Sequence, residues 1–321
     1  MSQPPSPAGP PSLGWPVSLA RPPALRPGDK VAVLSVSGAV EAGPLATGVE
    51  TLRFAGLEPV VYASAREPGS FRDYLAGDDK TRAADLVSAL TDPEIAGILF
   101  AKGGYGAQRT MEPVSWDGLA GLPPKVLAGF SDVTAVLEAV AARLGWASLF
   151  GPMVSVLGTD AHYSLASLLR TLTRPEDARE LRYPDAVTVN GGRAHGVTKG
   201  GTLTLLSSSL GTPTSWPARD GILLLEDVEE EPYRLDRMLT QLRRSGYLDG
   251  VAGIIAGTFT GCGPREEVHE ILLERLAGLG VPMIAWADVG HGGKFQTFPV
   301  GVAAELDADA RVLRLLDPPL S

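Results

Sequence analysis

Residues 127–140, LAGFSDVTAVLEAV, run from an apolar segment into a corner, Gly129-Phe130-Ser131-Asp132, and straight on into apolar residues at helical spacing. A strand that yields to a helix at one tight corner is half of a crossover unit, since parallel strands need a long connection and usually a helical one. The same alternation repeats on both sides. VAVLSVSG, PVVYAS, IAGILFAKGG, KVLAGFS and SLFGP read as buried strands, while stretches near 43–55, 80–91, 106–112 and 132–144 carry apolar residues at helical spacing. Alternating strand and helix predicts an α/β fold with a parallel, Rossmann-like sheet and right-handed crossovers. Working groups in such sheets collect at the carboxyl edge. Two loops fall there: AKGGYGAQR at 101–109 and GFSD at 129–132.

A chain of 321 residues exceeds most single cores and suits two domains. The expected division is a Pro-rich extension over 1–24, a first domain over 25–165, a polar connection over 166–195 and a second domain over 196–321. Prolines at 4, 5, 7, 10 and 11 make the start a polyproline-like, poorly ordered segment, and no apolar core of a secretory signal is present. The second block, from KGGTLTLLSSSLGTP to a closing hairpin VAAELD/RVLRLL, reads as mixed α/β with more antiparallel character. Within it, Leu235, Met238, Leu239 and Leu242 mark one helix face, with Pro232 in the first turn and Gly246 at the stop. Glu229, Glu230 and Glu231 suit that helix's N-terminal dipole. Glu226, closing the strand GILLLE, has no such structural explanation.

Composition narrows the function. A net charge of -9 and a pI near 5.0, without a basic stripe, argue against nucleic acid as a partner. No apolar run reaches the ~20 residues needed to span a bilayer. The one cysteine, Cys262, has no intrachain partner for a disulfide, which fits a reducing compartment, so the cytoplasm is the expected location. No metal-ligand spacing occurs, and neither a metal nor an organic cofactor is expected.

Two readings of Ser131 compete. Serine is among the best helix N-caps. On a tight strand-to-helix corner it is also placed as a nucleophile, with the next amide, that of Asp132, free to receive an oxyanion. A serine needs a base. Of the four histidines, His162 and His195 lie in linker-like surroundings and His269 in a helical pattern, REEVHEILLERL; His291 heads a Gly-rich turn after MIAWADVG. A carboxylate must orient the imidazole. Glu226 and its neighbour Asp227 are rivals, because successive strand residues face opposite ways. Cys262 with His269 makes a poor thiol pair, having no cationic setting. The loop AKGGYGAQR lacks nucleotide-loop spacing, and its glycines suit a second oxyanion donor better.

Taken in order, RPGDKVAVLSVSG, AKGGYGAQR, GFSDVTAVL, KGGTLTLLSSSLGTP, LLLEDVEEEPYRLDRMLTQL and GHGGKFQTFPVG resemble the serial motifs of the LD-carboxypeptidases. These serine peptidases include muramoyltetrapeptide carboxypeptidases and microcin C self-immunity hydrolases. The likeness runs from about Leu25 to Leu315. It implies a two-domain fold with the active site at the interface and a triad of Ser131, Glu226 and His291. It also implies oxyanion amides at Gly103, Gly104 and Asp132, and a homodimer. The implied reaction is release of a terminal D-alanine from the L-D amide of cytoplasmic murein tetrapeptides, as in peptidoglycan recycling. Hydrolysis of peptidyl or aminoacyl sulfamoyl-adenylates is the alternative in the same family, and a non-catalytic muropeptide-binding module the alternative from another class. Lys102 stands where many members have arginine, and Lys102, Arg109 and Arg234 are the candidates for gripping the substrate carboxylate.

Overall fold

The structure, a computed structural model, describes residues 16–66, 74–158 and 162–321. The first half supplies β1 (Lys30–Leu34), α1 (Ala42–Phe54), β2 (Glu58–Val61), α2 (Ala63–Arg66), α3 (Asp79–Thr91), β3 (Ile95–Phe100), α4 (Ala107–Met111), β4 (Val126–Gly129), α5 (Thr134–Leu144), β5 (Ser148–Phe150) and α6 (His162–Thr173). Its five strands are parallel in the order β2-β1-β3-β4-β5. That is a doubly wound order whose ligand crevice lies outside the carboxyl ends, where β1 and β3 part.

The inner strands β1, β3 and β4, with β5, are buried on both faces, as parallel sheets require, while the edge strand β2 is partly exposed. Val31, Val33, Leu99 and Leu149 pack on Val49 and Leu52 of α1 and Leu168 and Leu172 of α6. Ala32, Leu34, Ile98 and Leu127 pack the opposite way, on Leu86 and Leu90 of α3 and Val136 and Val140 of α5. Period-two alternation along a strand sends neighbours to opposite faces and so produces both layers.

The second half adds β6 (Glu180–Arg182), β7 (Val187–Asn190), β8 (Arg193–Thr202), α7 (Leu203–Ser208), β9 (Gly221–Val228), α8 (Pro232–Arg244), β10 (Gly253–Thr260), α9 (Arg265–Leu276), β11 (Met283–Ala285), β12 (Phe298–Val300), β13 (Ala303–Asp307) and β14 (Val312–Leu315). Eight of these strands form a mixed sheet in the order β6-β14-β13-β8-β9-β10-β11-β7, with β8 to β11 parallel and the flanks antiparallel. Leu223, Leu225 and Ile254 meet Leu235, Leu239 and Leu242 of α8 on one face. On the other, Ile222, Leu224 and Ile255 belong to the same apolar cluster as Val136 and Phe150 of the first half. The two sheets therefore share a core.

Three features depart from the sequence reading. Strand β12 leaves its own half and pairs antiparallel with β5 at the edge of the first sheet; Pro299 within it suits an edge, where a missing N–H costs no ladder bond. The stretch 166–195, read as a connection, carries most of α6 and all of β6 and β7, the two outer strands of the second sheet. Finally, residues 16–24 lie against the body rather than apart from it. Leu19 donates its amide to the Gly301 carbonyl at 2.7 Å, and Ser18 Oγ donates to Asp317 Oδ2 at 2.6 Å. The expectation for residues 1–15 lies outside the described residues.

Candidate active site

At the end of β4 the chain turns through Ser131, whose φ of 59° is left-handed. A non-glycine residue held there costs on the order of 1–3 kcal/mol and persists only when its surroundings impose it. The imposing group is the next side chain. Asp132, buried at 4% exposure, accepts from Ser37 Oγ at 2.6 Å and from the Ala107 amide at 2.8 Å. One carboxylate thus staples the loop after β1 and the start of α4 to the corner after β4. Burial pushes the Asp132 carboxyl up, opposed by these two hydrogen bonds. Ser131 makes no side-chain capping bond to the short 3-10 turn it begins or to α5, so the N-cap reading fails.

The Gly-Gly loop stands directly against the serine. A Cβ added to Gly103 would lie 3.2 Å from Ser131 Oγ and 2.9 Å from Met153 Cε. Only a glycine leaves that approach open. Gly38, after β1, donates its amide to the Gly103 carbonyl at 2.9 Å and fixes the loop from behind. Among the described residues no carbonyl accepts from the amides of Gly104 or Asp132.

Across the shared core, Glu226 and Asp227 lie near the carboxyl end of β9, and their environments separate them. Glu226 is fully buried. Its Oε2 lies 2.7 Å from His291 Nδ1 and accepts the His291 amide at 3.0 Å, while its Oε1 accepts Thr202 Oγ1 at 2.5 Å. A carboxylate receiving three donors acts as acceptor throughout, so Nδ1 carries the ring hydrogen and Nε2 is left with its lone pair. Asp227 faces the other way, to the Thr204 amide at 2.9 Å and hydroxyl at 2.8 Å on α7. Burial lifts its carboxyl to about 6. Gly290 lets the histidine loop close down on Glu226, because a Cβ there would fall 2.3 Å from Oε2.

The imidazole of His291 is partly buried and packs on Phe130, ring centres 4.7 Å apart, and Phe130 is the residue before Ser131. Ser131 and His291 share no hydrogen bond in this structure. Serine corner, Gly-Gly loop and the Glu226–His291 pair thus converge from two sheets. Thr202, Gly290 and Phe130, which complete the arrangement, were not singled out by sequence; a threonine at a strand end and a glycine before a histidine were the only cues.

The remaining candidates are scattered. Arg109 is committed to Asp79, with Nη2 at 2.6 Å and Nε at 3.2 Å from both oxygens. Arg234, exposed on α8, lies 3.5 Å from Glu230. Lys102 is exposed beside Gly103. Cys262 and His269 do not pair: burial lifts the thiol to about 11, and His269 Nδ1 accepts from the Trp286 indole at 3.3 Å. A cavity of about 560 Å³ opens between α4, α5 and α7, lined by Gln108, Trp116, Arg143 and Ser208, but neither Ser131 nor His291 lines it. Among the described residues no helix is long and apolar enough to cross a membrane.

Comparison with known proteins identifies the family. Residues 31–151 match the LD-carboxypeptidase N-terminal domain model and residues 195–306 the C-terminal one. A relative from Streptomyces coelicolor, provisionally named a carboxypeptidase, is 46% identical over 94% of this chain and 98% of its own. The murein tetrapeptide carboxypeptidase of Pseudomonas aeruginosa is 31% identical over 87% of this chain and 94% of its own. Among solved structures, the muramoyltetrapeptide carboxypeptidase of Oxalobacter formigenes superposes with a TM-score of 0.75 at 27% identity, covering 89% of this chain and 97% of that one. With both family models matched in order, and a glutamate-bound histidine packed on the residue before the corner serine, the chain belongs to the LD-carboxypeptidase family and is a serine carboxypeptidase.

Proposed function

We propose that this enzyme releases the terminal D-alanine of murein tetrapeptides by cutting the amide that joins it to an L-configured centre. Ser131 attacks the carbonyl while His291 Nε2 takes its proton; the amides of Asp132 and the Gly-Gly loop, Gly103 and Gly104, receive the oxyanion. His291 then protonates the departing amine and water releases the acyl group, with Glu226 holding the ring throughout. The observation that carries this reading is the Glu226–His291 bond of 2.7 Å on a ring packed against Phe130. It commits Nδ1 to the carboxylate and sets the ring against the residue before Ser131, which supports Nε2 as the base.

Lys102 is the proposed clamp for the substrate's terminal carboxylate. Arg109 and Arg234 are already occupied by Asp79 and Glu230, whereas Lys102 makes no ion pair with a described residue and adjoins Gly103. The cytoplasm is the proposed compartment, consistent with one buried, unpaired cysteine; a homodimer is the proposed assembly, by the family resemblance, and sedimentation of the purified chain tests it.

Adenylate hydrolysis is the second reading; it asks for an open aromatic platform, which three of the tryptophans do not supply. Trp146 is in the core, Trp216 is faced by Lys199, and Trp286 by Arg265. The deciding experiment supplies D-alanine-terminated tetrapeptides carrying each type of diamino acid, beside an aminoacyl sulfamoyl-adenylate. D-alanine release from a tetrapeptide is expected; turnover of the adenylate alone would overturn the proposal.

A further inference from the structure

The helix that leaves the serine corner carries a second carboxyl group for which the hydrolytic scheme has no use. Glu138 sits on α5 two turns beyond Ser131, about 10 Å along the axis, and is 3% exposed. Its Oε1 accepts from two donors of the second half, the Trp216 amide at 3.1 Å and the Tyr247 hydroxyl at 3.0 Å. Its Oε2 is buried without a hydrogen bond of good geometry; the Ser209 hydroxyl, which accepts from Gln108 Nε2 at 3.3 Å, lies close enough to favour the ionised carboxyl. Lys199 covers the Trp216 ring with Nζ 4.3 Å from its centre and donates to the carbonyls of Pro217 and Arg219. Burial raises the Glu138 carboxyl to about 7 and lowers Lys199 to about 8.

A half-satisfied acid in a dry seam is expensive, and an apolar side chain would fill the space at less cost. What the acid adds is a directional tie. Strand β8, which carries Lys199, ends at Thr202, and Thr202 holds Glu226. The same threonine donates its amide to Thr134 Oγ1, in the first turn of α5, at 3.2 Å. Alpha5 is therefore pinned to the second half at two heights. Apolar packing of Val136 and Val140 holds the helix against the shared core without fixing a direction; the Glu138 pin adds a directional tie two turns from the corner on which Ser131 stands.

We propose that Glu138 is a positioning residue for the hydrolysis: its carboxyl is the peg by which the Trp216 amide and the Tyr247 hydroxyl hold the Ser131 helix in register with His291 and Glu226. The proposal rests on Ser131 being the nucleophile. Misplacement of a reacting atom by about 1 Å costs on the order of 100-fold in rate, so a small rotation of α5 has a large readout.

The test compares wild type, Glu138→Leu, Glu138→Gln and Tyr247→Phe by D-alanine release and by the rate at which a fluorophosphonate labels Ser131, read by intact mass. Leucine should lower both kcat and the labelling rate about 10- to 100-fold with KM within about threefold of wild type. Glutamine, which keeps the Oε1 acceptor, should restore most of the rate. Should the leucine variant fail to fold, Tyr247→Phe removes one tie with the acid in place, and a several-fold fall in kcat and labelling is expected. Wild-type labelling and kcat in the leucine variant, or in the phenylalanine variant where leucine cannot be read, would overturn the peg. A wild-type protein that hydrolyses tetrapeptide without labelling at Ser131 would overturn the nucleophile assignment instead, and the peg with it.

Discussion

Ser131 and Glu226 stand at the carboxyl ends of comparable buried strands, β4 and β9, yet they are held by opposite means. The serine is placed by backbone: a left-handed corner, a glycine that leaves room beside its hydroxyl, and a staple made by the neighbouring side chain, Asp132. The glutamate is placed by its own side chain, fully buried and gripped by Thr202, the His291 amide and the His291 ring. A nucleophile must move during the reaction and so is left unbonded on a rigid mount. In the proposed mechanism a charge that stabilises an imidazolium must not move, and both oxygens of the carboxylate are held by donors.

The sharpest way to break this contrast is to remove the groups proposed to react. Because a catalytic triad acts as a unit, Ser131→Ala and His291→Ala should each reduce kcat by roughly 10⁴- to 10⁶-fold, with circular dichroism and thermal midpoint close to wild type. A variant keeping a tenth of the activity would exclude its residue from the chemistry.

Next in size is the pair of neighbours on β9. Glu226→Gln keeps the shape but removes the charge that holds the ring tautomer, and a loss of roughly 10³- to 10⁴-fold in kcat is expected. Asp227→Asn touches the α7 amide and hydroxyl and the Val228 amide, none of them in the proposed triad, and should stay within about threefold of wild type. Equal losses in the two would mean that the facing of Glu226 and Asp227 carries no functional distinction. This was also the point at which the sequence stopped. Alternation says that one of the two faces the site but not which one, because the answer is made by Thr202 and His291, far along the chain.

The rest of the site divides on the same line. Ser131, Glu226 and His291 were legible because each is a polar residue closing or following an apolar run, a place where burial alone offers no reason for it. Thr202, Gly290 and Phe130 were not, since a threonine becomes significant only when a carboxylate arrives 2.5 Å away. Five parallel strands and their helices followed from hydrophobic period and turn residues. Strands β6, β7 and β12 did not: segments of three or four residues carry too little pattern, and their pairing is decided by the sheet edge they meet.

Thr202 supplies the third prediction, of intermediate size. Thr202→Val is nearly isosteric and leaves Glu226 Oε1 buried without its donor, a defect worth about 1–3 kcal/mol. If the carboxylate then shifts toward the ring, kcat should fall about 10- to 100-fold while KM changes little. An unchanged kcat would show that the His291 contacts hold Glu226 unaided.

The smallest expected effect is on stability, and it belongs to the seam between the two mounts. Burial raises Glu138 from 4.5 to about 7, so the folded protein keeps a proton that the unfolded chain releases. Stability from this group is full below pH 4.5 and is lost as pH rises toward 7. Asp227, raised from 3.8 to about 6, acts in the same direction but is largely spent by pH 6. Lys199, lowered from 10.5 to about 8, acts in a separate window: its folded form gives up a proton early, so stability recovers between pH 8 and 10.5. From pH 6 to 7, then, the seam's contribution comes from Glu138, and one pH unit of one proton is worth about 1 kcal/mol. Denaturant unfolding of wild type against Glu138→Gln at pH 6 and 7 isolates it, since every other titrating group, histidines included, is common to both. Wild type should lose about 1 kcal/mol more than the variant over that interval, and equal losses would mean that Glu138 is ionised in the folded protein well below pH 6, with its second oxygen reached by a donor.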